Sequence, residues 1–246
     1  WQKKKQYWNK SIQIVCPSNW LAECVRESFL MKDWPVRVIP NPLPLSIYRP
    51  WPKEISRNIF GLPHKKKIIL FGAMGGTRDP RKGWDLLEPA LKKLSTNNAD
   101  LLAVVIGENT PKNPPKLGMP IKYLGHLYDD ASLALIYSAA DIMVVPSRME
   151  NLPQTATEAL SCGTPVASFN CSGFTDVISH QNTGYLAKRF EIDALTYAME
   201  WLLSDENRLK KISANARERA CKIWDPVKIA NDYLETYQEV ISLNHK

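Results

Sequence analysis

Short runs that are apolar almost from end to end recur along the chain, separated by stretches long enough for helices. Residues 68–71, 101–106, 142–145 and 166–169 contain almost nothing polar. A strand with one wet face alternates apolar and polar residues, whereas a strand covered on both faces does not. The runs therefore predict a parallel sheet buried between helices. Residues 12–16, 36–39 and 121–124 read as further strands, and Thr183-Gly184-Tyr185-Leu186 as a short edge strand. Helices are predicted at 20–30, 84–94, 131–140, 153–160, 173–179, 192–203, 207–223 and 226–243. Such alternation predicts a doubly wound, Rossmann-like α/β fold. Folds of this class bind ligands beyond the carboxyl ends of their strands.

A proline-rich segment interrupts the pattern. Ile39-Pro40-Asn41-Pro42-Leu43-Pro44 through Arg49-Pro50-Trp51-Pro52 holds too many prolines for a helix and reads as an extended linker. The expected organisation is a strand–helix–strand unit at 1–40, a linker at 41–55, an α/β domain at 56–225 and a last helix at 226–246. The first unit is too small for a core of its own. The last helix is free to pack on either part.

The 246 residues carry a formal net charge of +7, which points to an anionic partner: nucleic acid, a phosphorylated ligand or a membrane surface. Part of the excess lies in Lys3-Lys4-Lys5 and Lys65-Lys66-Lys67, runs that also occur on plain solvated surface. The basic and aromatic N-terminal stretch admits contact with nucleic acid or with a membrane. No recognised nucleic-acid motif is present, and no apolar run approaches the ~18 residues of a membrane span. No signal-peptide core follows Trp1. The expectation is a cytoplasmic protein, at most peripheral at the inner face of the membrane, with no nucleic acid as partner. Five cysteines are scattered without a CxxC pair, against a structural zinc or a redox motif. Cys16, Cys162 and Cys171 lie in or near apolar segments, as reduced core thiols do. The chain starts without an initiator Met, as a piece of a longer protein would.

Four segments carry candidate chemistry. The first runs from Phe71 to Trp84: a strand end, the glycines Gly72, Gly75 and Gly76, then Arg78, Arg81 and Lys82 before a helix. Glycines let backbone approach a ligand, and a helix N-terminus with basic neighbours suits phosphate. A solvated turn fits the same residues. The second is Glu150-Asn151-Leu152-Pro153-Gln154-Thr155-Ala156-Thr157-Glu158, after the strand at 142–145. Pro153 suits a first helical turn. Eight helical residues rise ~12 Å, the scale of a sugar–diphosphate–ribose ligand, yet spacing alone fits two ordinary helix charges as well. The third comprises the strand ends Gly107-Glu108 and Leu124-Gly125-His126, whose backbone and His126 are candidate nucleobase contacts or plain turns. The fourth is Ser172-Gly173-Phe174-Thr175-Asp176, a Gly-led helix start at the same rim or a routine turn with a dipole-favoured acid. No Ser/His/Asp order and no metal-ligand cluster is evident.

Taken in order, Arg78-Asp79-Pro80-Arg81-Lys82-Gly83, Val105-Ile106-Gly107-Glu108, Tyr123-Leu124-Gly125-His126, the long run from Ala139 to Phe169 and Asn182-Thr183-Gly184-Tyr185-Leu186 resemble the donor half of a GT-B glycosyltransferase. The family is the large retaining family 4, and bacterial transferases of capsule, colanic-acid-like or O-antigen polysaccharides look most similar. The resemblance implies the C-terminal domain of a GT-B fold, a nucleotide-diphosphate sugar donor, a sugar or lipid-linked glycan acceptor, and no metal or other cofactor. It implies that Glu150 holds the donor sugar, Glu158 the ribose and Lys82 the diphosphate. Glu150 and Lys82 become the catalytic candidates. Gly75, Gly76, Arg78, Gly107, Leu124, His126, Asn151, Leu152, Pro153 and Gln154 become donor-binding candidates. The family's usual arginine six residues before the lysine is replaced here by Gly76, with Arg78 the nearest substitute. Most of the acceptor domain is missing, so the fragment alone is expected to transfer nothing. A non-catalytic sugar-nucleotide-binding module and another GT-B enzyme, such as an epimerase or a phosphorylase, stay open as alternatives.

Overall fold

The apolar runs do become parallel strands. The computed structural model describes residues 2–8, 12–72, 79–96 and 100–244. A two-stranded parallel sheet pairs β1 (Ile14–Cys16) with β2 (Val36–Val38). The main sheet holds β3 (Lys67–Gly72), β4 (Leu101–Ile106), β5 (Ile121–Tyr123), β6 (Ile142–Val145), β7 (Val166–Phe169) and β8 (Gly184–Ala187). Its spatial order is β5-β4-β3-β6-β7-β8, with every pairing parallel. The doubly wound α/β fold expected from the sequence is the fold observed.

Ten α-helices join these strands among the described residues: α1 (Gln2–Tyr7), α2 (Asn19–Arg26), α3 (Lys53–Ile59), α4 (Trp84–Thr96), α5 (Asp130–Ala139), α6 (Gln154–Ser161), α7 (Phe174–Val177), α8 (Ile192–Leu203), α9 (Glu206–Ile223) and α10 (Pro226–Asn244). α4 packs on α8, while α3, α5, α6 and α9 form a second packed row. With helices on both faces, β4, β6 and β7 are buried at every residue, which is why their sequences do not alternate. Short acids and hydroxyls start several helices. Ser18 accepts from the Leu21 amide, Asp129 from Ser132 and Asp205 from Arg208.

Two helices were not anticipated. α1 lies in the basic–aromatic stretch, and α3 begins inside the segment read as linker. α3 is held by the buried Arg57, whose guanidinium donates to the carbonyls of Ala139 and His64 and pairs with Asp141 at 2.8 Å. Asp141 in turn accepts from the Ile68 amide at 2.6 Å, joining the starts of β3 and β6. The proline segment itself is tied down. Leu43 and Tyr48 are core residues, and Arg217 of α9 donates to the carbonyls of Leu45 and Tyr48.

β1, α2 and β2 have a separate small core of Cys16, Ala22 and Val25. α10 reaches back to this unit, where Arg37 of β2 donates to Thr236 at 3.1 Å and to Glu239 at 3.0 Å. The cysteines are all free, with Cys16, Cys162 and Cys171 buried as expected from their apolar settings. Among the described residues no helix is long and apolar enough to cross a membrane.

Candidate functional site

The chain winds outward from β3 to β4 and β5, then returns to β6 and winds the other way. The strand order thus reverses between β3 and β6, and a crevice forms beyond their carboxyl ends. Two segments meet there. After β3, a single 3-10 turn (Pro80–Lys82) is capped by Asp79, whose carboxylate accepts from the Arg81 amide. After β6, the loop from Pro146 leads to α6. Lys82 from the first segment and Glu150 from the second form an ion pair at 2.7 Å, each about one quarter exposed. Residues 68 apart in sequence are therefore one site.

The junction leaves no room for other side chains. Gly83 ends the 3-10 turn at φ 72°, and a Cβ there would stand 2.0 Å from the Pro146 carbonyl oxygen. Arg148 fastens the same junction. Its amide donates to the Arg81 carbonyl at 2.8 Å, and its guanidinium grips both carboxylate oxygens of Asp85 at 2.9 and 2.6 Å. That hydrogen-bonded pairing holds the Asp85 carboxyl below its ordinary range. Arg81 pairs with Asp79 at the exposed surface.

The Glu150 loop is held from its other side by the segment before α7. The Glu150 amide donates to the Ser172 hydroxyl at 3.1 Å, and the Gly173 amide donates to the Glu150 carbonyl at 2.9 Å. A Cβ on Gly173 would fall 1.6 Å from the Asn151 carbonyl oxygen. The Ser172-Gly173 pair, which the sequence left open as a helix start at the rim or a routine turn, braces the loop. Asp176 lies in the first turn of α7, as expected of a dipole-favoured acid. Its carboxylate also accepts from the amides of Asn19 and Trp20, the first residues of α2. Beside it, Ser18 donates to Asn151 Oδ1 at 2.8 Å.

A cavity of about 280 Å³ is lined among others by Gly107, His126, Tyr137, Gln154, Thr155 and Glu158. The amides of Gln154 and Thr155 start α6 and so have no acceptor within the helix. Glu158 is only 4% exposed. Burial pushes its carboxyl up, and hydrogen bonds from Tyr137 and Gln154 act in the opposite direction. The Tyr137 hydroxyl donates to Glu158 Oε2 at 2.8 Å. A wider hollow of about 600 Å³ shares Gly107 and His126 and adds Asp79 and Glu108. Another cavity, about 260 Å³ between Trp51, Lys53, Lys67, Asp141 and Lys210, lies at the amino ends of the strands, away from this rim. Among the described residues no group of three His, Cys, Asp or Glu side chains is placed to hold a metal ion.

The structure thus gathers Lys82 with Glu150, and Gly107, His126, Gln154 and Glu158 around one cavity. Pro153 stands one position before α6 rather than inside it, as its N-cap. Leu124 and Leu152 pack against the main core, and Asn151 is engaged by Ser18. Gly75, Gly76 and Arg78 lie outside the described residues. Arg148 and Tyr137 were not singled out in the sequence. Each acts through a tertiary partner, 63 and 21 residues away respectively, which no local pattern announces.

A sequence model of the glycosyl transferases group 1 family matches residues 52–219. The chain belongs to that family. This glycosyltransferase domain is 30% identical over 227 residues to the D-inositol 3-phosphate glycosyltransferase of Thermobispora bispora, covering 86% of the chain and 52% of that protein. The counterpart from Gordonia bronchialis is 28% identical over 200 residues, covering 74% of the chain and 42% of the relative. The chain spans about half the length of these curated relatives. Among solved structures, sucrose-phosphate synthase from Thermosynechococcus elongatus superposes with a TM-score of 0.83 at 24% identity, over 98% of this chain and 61% of the other. HepE of Anabaena, solved in complex with UDP and glucose, gives 0.73 at 20% identity, over 92% and 63%. These structural likenesses establish a shared GT-B-type fold.

Proposed function

We propose that this domain is the donor-binding part of a retaining glycosyltransferase that moves a sugar from a nucleotide diphosphate to an acceptor hydroxyl. The observation that carries the reading is the Lys82–Glu150 pair at the switch point of the sheet. A cation and a carboxylate side by side match the two ends of the bond that breaks. Lys82 and the first amides of α6 neutralise the diphosphate, and Glu150 accepts hydroxyls of the sugar. Glu158 accepts ribose hydroxyls from the cavity floor, with Gly107 and His126 beside the base. Residues Asn151, Leu152, Pro153 and Gln154 shape the loop between the two glutamates.

In the reaction, the bond from the anomeric carbon to the diphosphate oxygen breaks, and a bond from that carbon to the acceptor oxygen forms on the same face. The acceptor proton leaves with the diphosphate. Charge accumulates on the departing oxygen, where Lys82 is worth most in a site closed to water. The unit at 1–40 belongs, in this reading, to an acceptor domain, 41–55 to the interdomain segment, 56–225 to the donor domain and 226–246 to a helix crossing back. The acceptor is a sugar or a lipid-linked glycan of a bacterial surface polysaccharide, reached from the cytoplasm with peripheral contact to the membrane. No metal takes part.

The test is a binding screen of UDP-, GDP-, ADP- and CMP-sugars against the full-length protein. HepE, with its bound UDP, makes the UDP series the first to try. Saturable binding of one series, and a product that keeps the donor's anomeric configuration by NMR, support the proposal. No binding in any series, or an inverted product, contradicts it.

A further inference from the structure

Behind Glu158 stands a cluster that the donor reading does not use. Tyr137 of α5 is fully buried, and its hydroxyl donates to Glu158 Oε2 at 2.8 Å. The Tyr137 ring lies 6.5 Å from that of Tyr48, centroid to centroid. Tyr48 comes from the proline-rich segment, is itself buried, and donates its hydroxyl to Asp130 at 2.9 Å. Burial and the charge of Glu158 push the Tyr137 hydroxyl well above its ordinary range, so it keeps its proton and remains the donor. Two carboxylates and two phenols thus form one chain of contacts, from the proline segment to the cavity.

We propose that Tyr137 is a positioning residue for Glu158, and that Tyr48 buttresses it from the proline-rich segment. The geometry holds Oε2 on Tyr137, with Gln154 also hydrogen-bonding the carboxyl, so that the hydroxyls of a ribose meet a carboxylate held in one orientation. A carboxylate free to rotate accepts one hydroxyl as readily as two. A carboxylate pinned at Oε2 presents a single orientation to the vicinal diol, and so discriminates ribose from deoxyribose. The segment expected to join two domains thereby bears on the nucleotide site. The inference rests on the assignment of Glu158 to the ribose, and the test separates the two.

Binding of UDP and of 2′-deoxy-UDP is measured by calorimetry on the full-length protein, its Tyr137→Phe and Glu158→Gln variants, with melting temperature alongside. The wild type is expected to prefer UDP by about tenfold or more, since a site built for a hydroxyl rejects an analogue lacking it. Tyr137→Phe keeps the ring and removes only the hydroxyl. It is expected to cut the preference to about twofold while leaving 2′-deoxy-UDP affinity in place, as loss of one hydrogen bond implies. Glu158→Gln is expected to lose most of the preference as well. If Glu158→Gln loses the preference and Tyr137→Phe keeps it, the positioning role is overturned and the ribose assignment stands. If the wild type shows no preference, or Glu158→Gln retains it, the ribose assignment falls and the inference with it. A purely structural Tyr137 would lower the melting temperature and weaken both nucleotides equally, which also overturns the proposal. Should Tyr137→Phe not fold, Tyr48→Phe carries the same test with a smaller expected loss, and a full retained preference overturns it.

Discussion

Glu158 is a carboxylate in a place that disfavours charge. With its side chain buried on α6, its carboxyl is pushed up by desolvation, and the hydroxyl of Tyr137 offsets only part of that. For a carboxyl raised in the folded state, the stability it contributes is present below its unfolded value and is lost as pH rises through the folded one. Glu158→Gln removes this titration while keeping an oxygen for Tyr137. The variant is expected to melt above the wild type at about pH 8, by about 2–4 °C, which is what ~1 kcal/mol produces in a chain of this size. The two curves should converge in acid, below the ordinary range of glutamate. Melting temperature against pH checks this, and a constant offset would show that burial of charge is not the cause. Lys82 is a simpler case. Lys82→Ala is expected to weaken binding of a nucleoside diphosphate to the full-length protein by about 1–3 kcal/mol, the range of a charge-assisted hydrogen bond. Unchanged affinity in a titration would leave the loop as a turn and nothing more.

Two loops of unlike origin are locked together at the site, and the lock is made of residues that touch no ligand in this account. Gly173 is the tightest point, with backbone of the Glu150 loop where its side chain would be. Gly173→Ala is expected to displace that loop, lowering stability by about 1–3 kcal/mol as overpacking does. It should also cost sugar-nucleotide affinity at least tenfold, read by calorimetric titration. Arg148→Ala frees the 3-10 turn from the loop after β6 and is expected to weaken nucleotide binding several-fold without contacting it. Arg148→Lys, which lacks the planar fork, should rescue little. The strands and most helices at this scale were legible, because β3, β4, β6 and β7 are apolar throughout and the amphipathic stretches between them are long. α3 was not, because its residues 53–59 carry only two large apolar side chains and follow a run of prolines. Its anchor is the Arg57–Asp141 pair, which spans 84 residues. Glu150, Lys82 and Glu158 were singled out by pattern and resemblance, and the structure pairs the first two and sets the third in a cavity wall. Arg148, Tyr137 and the bracing role of Ser172-Gly173 were not, since each depends on a partner brought near only by the sheet.

Across the whole molecule, side-chain hydrogen bonds tie the small unit of β1, α2 and β2 to the rest of the chain. Asp176 caps α2 at the rim beside Glu150, and Arg37 meets α10 on the far side. The exposed Arg37 contacts are of a kind worth little by themselves. Asp176 accepts from two helix amides and the Asn19 side chain, so it is the stronger tie. Asp176→Ala is expected to speed hydrogen exchange at the Trp20 amide by about tenfold, the equivalent of about 1.4 kcal/mol, with the α6 amides unaffected. Equal exchange in both proteins would mean that the unit is held elsewhere. The donor assignment itself is tested most directly by titrating the full-length protein, its Lys82→Ala and its Glu150→Gln variants with a nucleoside diphosphate and with the matching nucleotide sugar. Lys82→Ala should weaken both ligands, whereas Glu150→Gln should spare the nucleoside diphosphate and abolish the extra affinity contributed by the sugar. Wild-type affinity for both ligands in both variants would contradict a donor site built on this pair.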